Sequence, residues 1–346
     1  MRRREFISLL GGAAVIWPTA ARAQQREQIA RIGVLMSVED GPDGQARITA
    51  FRQGLEKLGW AEGQNVRIDV RWAAGDAALE RKFATELVSL TPDVILATAS
   101  PTVAALQSVT RTVPIVFAGS VDPVGAGFVD TLARPGGNAT GFVLYEYGMA
   151  AKWLERLKEI APNVKRVAVI RDPAIASGTG QFGAIQSVAP SFGVELTAVS
   201  VRDAGEIERA ISAFVRSSDG GLIVTASPLA LIHRDLIVTL AARHKLCAVY
   251  NLRLCVTDGG LISYGTDLYD LYRRAAGYID RVLKGEKPSD LPVQAPTKFE
   301  TVINIKTAKA MGITMPVSLL TRADEIIEAD IGHPPAISAG EHCPRT

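Results

Sequence analysis

The tetrapeptide Thr-Ala-Ser-Pro occurs twice in this chain, at residues 98–101 and 225–228. Each copy closes a short apolar run, Val94-Ile95-Leu96-Ala97 in the first case and Leu222-Ile223-Val224 in the second. Serine followed by proline suits the passage from strand to helix. The serine oxygen accepts an orphan backbone N–H as an N-cap, and proline at the first helical position has no N–H to leave unpaired. The free N–H groups at such a junction, backed by the positive end of the helix dipole, accept an anionic group, typically a carboxylate. Ser100 and Ser227 are therefore candidate ligand contacts as well as caps, and Thr98 and Ala99 add a hydroxyl and a backbone donor to the first copy. The chemistry these residues suggest is binding rather than turnover.

Other chemistries lack their residues. There is no Gly-x-Ser-x-Gly nucleophile elbow and no Gly-x-x-x-x-Gly-Lys phosphate loop. Gly125-Ala126-Gly127 lacks the third glycine and the acidic partner of a dinucleotide site. His233, His244, His333 and His342 are dispersed without metal-ligand spacing, and no Cys-x-x-Cys is present. Neither an enzyme nor a bound cofactor or metal is expected. Of the three cysteines, Cys247 reads as a small buried hydrophobe, and its spacing from Cys255 does not by itself argue for a bridge. Cys343 falls in the C-terminal tail. A net charge of +2 with scattered Lys and Arg supplies no polyanion-binding field, so nucleic acid is not an expected partner.

The candidate residues sit on a repeated scaffold. Apolar runs at 32–36, 66–72, 94–97, 115–117, 167–170, 196–201, 222–224, 247–250 and 260–263 alternate with longer amphipathic stretches. In one of these, Ile48, Phe51, Leu55 and Leu58 recur at helical spacing and Gly59 supplies the stop. Such alternation predicts α/β architecture with parallel sheets covered by helices on both faces. The two Thr-Ala-Ser-Pro units fall at corresponding places. Each follows a polar turn carrying an aspartate, Asp93 or Asp219, and each precedes a helical pattern and another short strand. The half-chains look like two copies of one plan, and in open α/β sheets ligands bind at the carboxyl edge. Two lobes with those edges facing each other would form a cleft.

The ends of the chain point outward from the cytoplasm. Arg2-Arg3-Arg4-Glu5-Phe6-Ile7, a short apolar stretch to Trp17, and Ala21-Arg22-Ala23 have the three parts of a secretory signal over residues 1–23. The paired arginines resemble a twin-arginine signal. A mature protein beginning at Gln24, soluble in the periplasm, is expected. The composition, 47% hydrophobic and 21% charged, is ordinary for a globular protein, and the length favours two domains.

Several segments carry a family resemblance. Glu56-Lys57-Leu58-Gly59-Trp60-Ala61-Glu62-Gly63-Gln64-Asn65-Val66 resembles the early part of ABC-transporter substrate-binding proteins of the tryptophan/tyrosine type. Phe117-Ala118-Gly119-Ser120-Val121-Asp122-Pro123-Val124 and Pro135-Gly136-Gly137-Asn138-Ala139-Thr140-Gly141 continue it, as do residues 274–285 and 296–309. The resemblance runs over about residues 28–329 and implies a type I periplasmic-binding-protein fold, two doubly wound parallel-sheet lobes joined by a three-crossing hinge. It implies residues 28–145 plus 266–288 in lobe 1, 146–262 plus 292–330 in lobe 2, and a flexible tail over 331–346. Crossings are expected near 144–147, 261–265 and 291–296.

The resemblance also implies a function: clamping a small carboxylate-bearing ligand, an aromatic or other amino acid, and delivering it to an ABC permease in the inner membrane. A monomer is expected. In that setting Thr98, Ala99 and Ser100 would take the carboxylate and Asp122 the ammonium, while Ser37 and Ser120 would donate hydrogen bonds from the same edge. Asp172, Ser227, Tyr250 and Asn251 end strands of the second lobe. Tyr250 would either stack on the ligand or complete the core. The chain departs from the family pattern at Arg171-Asp172-Pro173 and in the acidic loop with Glu39, Asp40 and Asp43, which leaves the ligand open. A sensor presenting the same bound molecule to a membrane receptor is the alternative, since the binding chemistry would be identical. A cytoplasmic repressor of this fold is excluded by the export signal and by the lack of a helix-turn-helix ahead of the first strand.

Overall fold

A computed structural model describes residues 29–215 and 220–328. The signal segment, the Asp219 turn, Cys343 and the tail lie outside the described residues. The chain divides into two compact units. One ends at Leu144 and resumes over Leu268–Ala295; the other takes Tyr145–Asp267 and continues from Pro296. The chain thus passes from unit to unit after Leu144, Asp267 and Ala295.

The first unit holds strands β1 (Ala30–Met36), β2 (Val66–Trp72), β3 (Val94–Thr98), β4 (Ile115–Ser120) and β5 (Ala139–Val143) in the order β2-β1-β3-β4-β5, parallel throughout. The second holds β6 (Arg166–Arg171), β7 (Glu195–Ser200), β8 (Gly220–Val224), β9 (Cys247–Tyr250), β10 (Ile262–Thr266), β11 (Phe299–Asn304) and β12 (Glu325–Ile327), ordered β12-β11-β10-β9-β8-β6-β7. Helices α1 (Pro42–Glu56), α2 (Ala77–Ser89) and α3 (Ala99–Val109) link the first strands. In the second unit run α4 (Met149–Ile160), α5 (Ala176–Val188), α6 (Ala204–Phe214), α7 (Pro228–Ile232), α8 (Arg234–Arg243) and α9 (Arg253–Thr257). Then α10 (Leu268–Leu283) returns to the first unit, and α11 (Ile305–Met311) and α12 (Val317–Arg322) close the second. None of these helices is long and apolar enough to cross a membrane.

Both sheets are buried on both faces, which is why their central strands read as unbroken apolar runs rather than alternating ones. On one face of the first sheet Leu35, Ala97 and Phe117 meet Ala84 and Leu87 of α2 and Val103 and Leu106 of α3. On the other lie α1, with Ile48, Phe51 and Leu55 fully buried, and α10 packed along it. The second sheet places Ala168, Ile170, Leu222, Val224 and Ala248 against Ile207, Ile211 and Phe214 of α6 and Ile237 and Leu240 of α8. Its opposite face carries α4, with Trp153, Leu154 and Leu157 buried, and α5.

One expectation needs correction. The second sheet is not wholly parallel, because β11 runs antiparallel to β10. β10 ends where the chain leaves the unit, and the returning chain re-enters beside that end, pairing Thr266 with Phe299. A strand that starts where its neighbour stops must run back along it. β5, β11 and β12 do not stand out as apolar runs either: β5 is broken by Thr140 and Gly141, β11 by Glu300 and Thr301, and β12 spans only Glu325–Ile327.

Candidate functional site

At the carboxyl edge of the first sheet, the strand ends are tied to one another by side chains. Ser37, just past β1, donates its backbone N–H to Thr98 Oγ1 at 2.9 Å. The Thr98 hydroxyl reaches back to Leu35 O at 3.3 Å. Ser100 Oγ lies 2.9 Å from Ser120 Oγ and accepts the Val121 N–H at 3.2 Å, joining the ends of β3 and β4. Asp122 Oδ1 accepts the Gly125 N–H at 2.8 Å and so shapes the turn after β4. Ala99 (φ +66°) and Asp122 (φ +47°) are held in the left-handed region, which costs a non-glycine residue of order 1 kcal/mol or more. Five of the residues singled out from sequence, Thr98, Ala99, Ser100, Ser120 and Asp122, are brought together at this edge, with Ser37 beneath them.

The cap assignment for Ser100 does not hold. Helix α3 starts at Ala99 with Thr98 at the N-cap, so Ser100 and Pro101 fall inside the first turn. Its hydroxyl serves β4 instead of the helix. Ser227 does cap: its Oγ accepts the Ala230 N–H at 2.9 Å with Pro228 at the first helical position. Identical tetrapeptides therefore do different work.

Beneath the first edge lies Glu80, 4% exposed, to which the Ser37 hydroxyl donates at 3.0 Å. Burial pushes its carboxyl up to about 7, with the Ser37 hydrogen bond acting the other way. Sequence reading missed it. The available signal was its helical register with Ala84 and Leu87, the other buried positions of α2. Tyr272, returned to this unit by α10, bonds Thr98 and Arg47, and Arg47 Nη2 lies 2.5 Å from Asp43 Oδ2.

The second sheet presents a comparable edge. Thr225 donates both its N–H (3.0 Å) and its hydroxyl (2.8 Å) to Ile170 O, pinning the end of β8 to that of β6. The next N–H, of Ala226, goes to Gln181 Oε1 at 2.9 Å. Gln181 is fully buried on α5, and the Tyr145 hydroxyl donates to it at 3.4 Å. Asn251, 5% exposed, also bonds Tyr145, whose phenol is raised well above its ordinary range by burial. Asp172 is likewise buried; its Oδ1 accepts the Ala174 N–H at 2.9 Å, and burial raises its carboxyl. Gln181 and Tyr145 were not anticipated, although Ser177, Gln181 and Ile185 share one buried helical stripe.

Tyr250 takes the second of the two roles open to it. Its ring is 1% exposed and belongs to the core formed with α6 and α8, so it completes the core rather than offering a stacking face. Cys255 joins the same core as a free thiol, pushed by burial up to about 12, and Cys247 is also free. Among the described residues no cluster of His, Cys, Asp or Glu could hold a metal ion. A cavity of about 490 Å³ lies in the first unit at the opposite, amino edge of its sheet, lined by Ala30, Trp60, Asp93, Pro114 and Lys287 among others.

Paired α/β units with polar strand ends gathered at their carboxyl edges define a two-lobed, periplasmic-binding-protein-like fold. Comparison with known proteins agrees. Residues 31–327 match the ABC transporter substrate binding protein family, and the chain belongs to it. It is 29% identical over 280 residues to the tyrosine-binding protein of Clostridioides difficile, covering 81% of this chain and 80% of that one. A conserved domain protein from Vibrio cholerae superposes with a TM-score of 0.81 at 29% identity, over 86% of this chain and 100% of the other. A Streptococcus pneumoniae ABC domain crystallised with L-Trp gives 0.79 at 28% identity, over 86% and 99%. The family's role is solute binding for an ABC importer.

Proposed function

We propose that this protein is the non-catalytic, periplasmic receptor of an ABC importer for a small carboxylate-bearing solute of the amino-acid class, bound at the carboxyl edge of its first sheet. One observation carries the reading: Thr98, Ala99, Ser100, Ser120 and Asp122 are gathered and cross-tied at one sheet edge, with two of them in left-handed backbone. Strain of that kind persists where surrounding structure over-determines it, and it concentrates at ligand sites. Hydroxyls and backbone N–H groups there suit a carboxylate, and Asp122 suits an ammonium. The tyrosine-binding relative and the protein crystallised with L-Trp support the amino-acid class. Residues 1–23 support export by their sequence.

Native mass spectrometry of the mature protein tests this directly. A co-purifying amino acid and an N-terminus at Gln24 are expected, whereas a protein that carries no solute and binds none of the amino acids by calorimetry would refute the reading. Asp122→Asn keeps the bond to Gly125 but removes the charge. It should weaken binding of an amino-acid ligand by about 10- to 100-fold with an unchanged melting temperature.

A further inference from the structure

At the carboxyl edge of the first sheet the gathered residues sort into two layers. Ser37, Thr98 and Ser120 are buried, whereas Ala99, Ser100 and Asp122 are half-buried. The lower layer has its polar groups committed within the fold. Ser37 gives its N–H to Thr98 Oγ1 and its hydroxyl to Glu80, and its carbonyl accepts the Gly75 N–H at 2.7 Å. Thr98 is committed more completely. A hydroxyl has one proton and two lone pairs. Leu35 O, which can only accept, takes the Thr98 proton, and the Ser37 N–H, which can only donate, takes one lone pair. Tyr272 bonds the same hydroxyl, so its phenol proton fills the second lone pair. The Thr98 carbonyl is taken as well, by the Thr102 hydroxyl at 2.7 Å. The Thr98 hydroxyl therefore has nothing left to offer a ligand.

Tyr272 reaches this edge from far along the chain. It is buried in α10 with Leu271, Ala275 and Ala276. Arg47, buried on α1, bonds it too, and a guanidinium offers donors only, which leaves the phenol proton for Thr98. What these bonds fix is the residue that follows. Ala99 stands at φ +66°, a conformation that a non-glycine residue keeps only where its surroundings over-determine it. The N–H groups of Ala99 and Ser100 open α3 and have no partner within the helix, so their direction depends on where Thr98 is held.

We propose that Tyr272 is a positioning residue of the ligand edge. By filling the Thr98 hydroxyl it holds the turn at Ala99, so that Thr98 shapes the site without touching the ligand. Contact then falls to the half-buried layer, Ala99, Ser100 and Asp122. This rests on the solute-binding reading above and involves the first unit alone.

A double-mutant cycle read by calorimetry tests it, with L-tyrosine as probe, or with the L-amino acid that the parent binds most tightly if L-tyrosine does not bind. Tyr272→Phe keeps the ring and removes the hydroxyl, and should weaken binding about tenfold. Thr98→Val should do the same, whereas Thr98→Ser, which keeps the hydroxyl, should stay within about twofold of the parent. In the Thr98→Val background Tyr272→Phe should cost nothing further, because its route to the ligand is already gone. Parental affinity in Tyr272→Phe would overturn the assignment, and so would two losses that multiply to about 100-fold in the double variant. Melting curves establish that each variant is folded. Should Tyr272→Phe fail to fold, Arg47→Lys, which keeps the pair with Asp43 but not the planar group beside Tyr272, takes its place in the cycle with the same two outcomes. A parent that binds no amino acid would remove the solute-binding reading and this assignment with it; a parent that binds, with independent losses in the cycle, would remove the assignment alone.

Discussion

Glu80 shows how a single buried carboxyl links this protein to pH. In the unfolded chain it titrates near 4.5, and burial raises that in the folded protein to about 7. Between those values the native state binds more protons than the unfolded state, so stability falls as pH rises. The loss is complete above about pH 7 and absent below about pH 4. Glu80→Gln keeps a hydrogen-bonding partner for the Ser37 hydroxyl and removes the charge. Thermal or urea unfolding above about pH 8 should show it more stable than the parent by on the order of 3 kcal/mol, the gap closing toward about pH 4. A gap that is the same at both pH values would mean that Glu80 is ionised at little cost. Asp122 is the residue to which binding should respond; Glu80, by contrast, should be read in stability first.

The elements hold these residues by backbone contacts that tolerate little change. Helix α5 approaches the loop after β6 so closely that a Cβ at Gly178 would collide with the carbonyl oxygen of Asp172. That atom is backbone and cannot rotate away. Gly178→Ala should therefore destabilise the protein by about 1–3 kcal/mol, since overpacking here must move a helix or a loop. The melting temperature checks this expectation; an unchanged value would show that α5 shifts freely. At the opposite unit, Gly54 plays a like part, since its Cβ would come within 2.7 Å of Ala276 Cβ and 2.9 Å of Arg273 O, which sets how closely α1 meets α10.

On the scale of the whole molecule, the first unit is incomplete without a segment that arrives late in the chain. Leu271, Tyr272, Ala275, Ala276 and Ile279 of α10 are buried in it. Thr140 donates to Leu291 O at 2.5 Å, and Trp60 Nε1 to Asp280 Oδ1 at 2.9 Å. Residues 29–144 alone should thus fail to fold, and joining 268–295 to them through a flexible linker should restore a cooperative transition by circular dichroism. Folding of 29–144 without that segment would contradict the packing of α10. Much of the architecture was legible in the residues themselves. Continuous apolar runs announce buried parallel strands, helical spacing announces the covering helices, and the duplicated strand-helix plan announces two related units, because each of these is a local pattern that the backbone period converts into a face. The polar residues at strand ends were legible for the same reason. What the sequence left open depended on neighbours far along the chain. Thr-Ala-Ser-Pro is one tetrapeptide, yet Ser227 caps a helix while Ser100 bonds the end of β4. The sense of β11 and the burial of Tyr250 are decided in the same way. A hydroxyl or a guanidinium takes whichever partner lies within hydrogen-bond reach, and only the tertiary structure determines which groups those are.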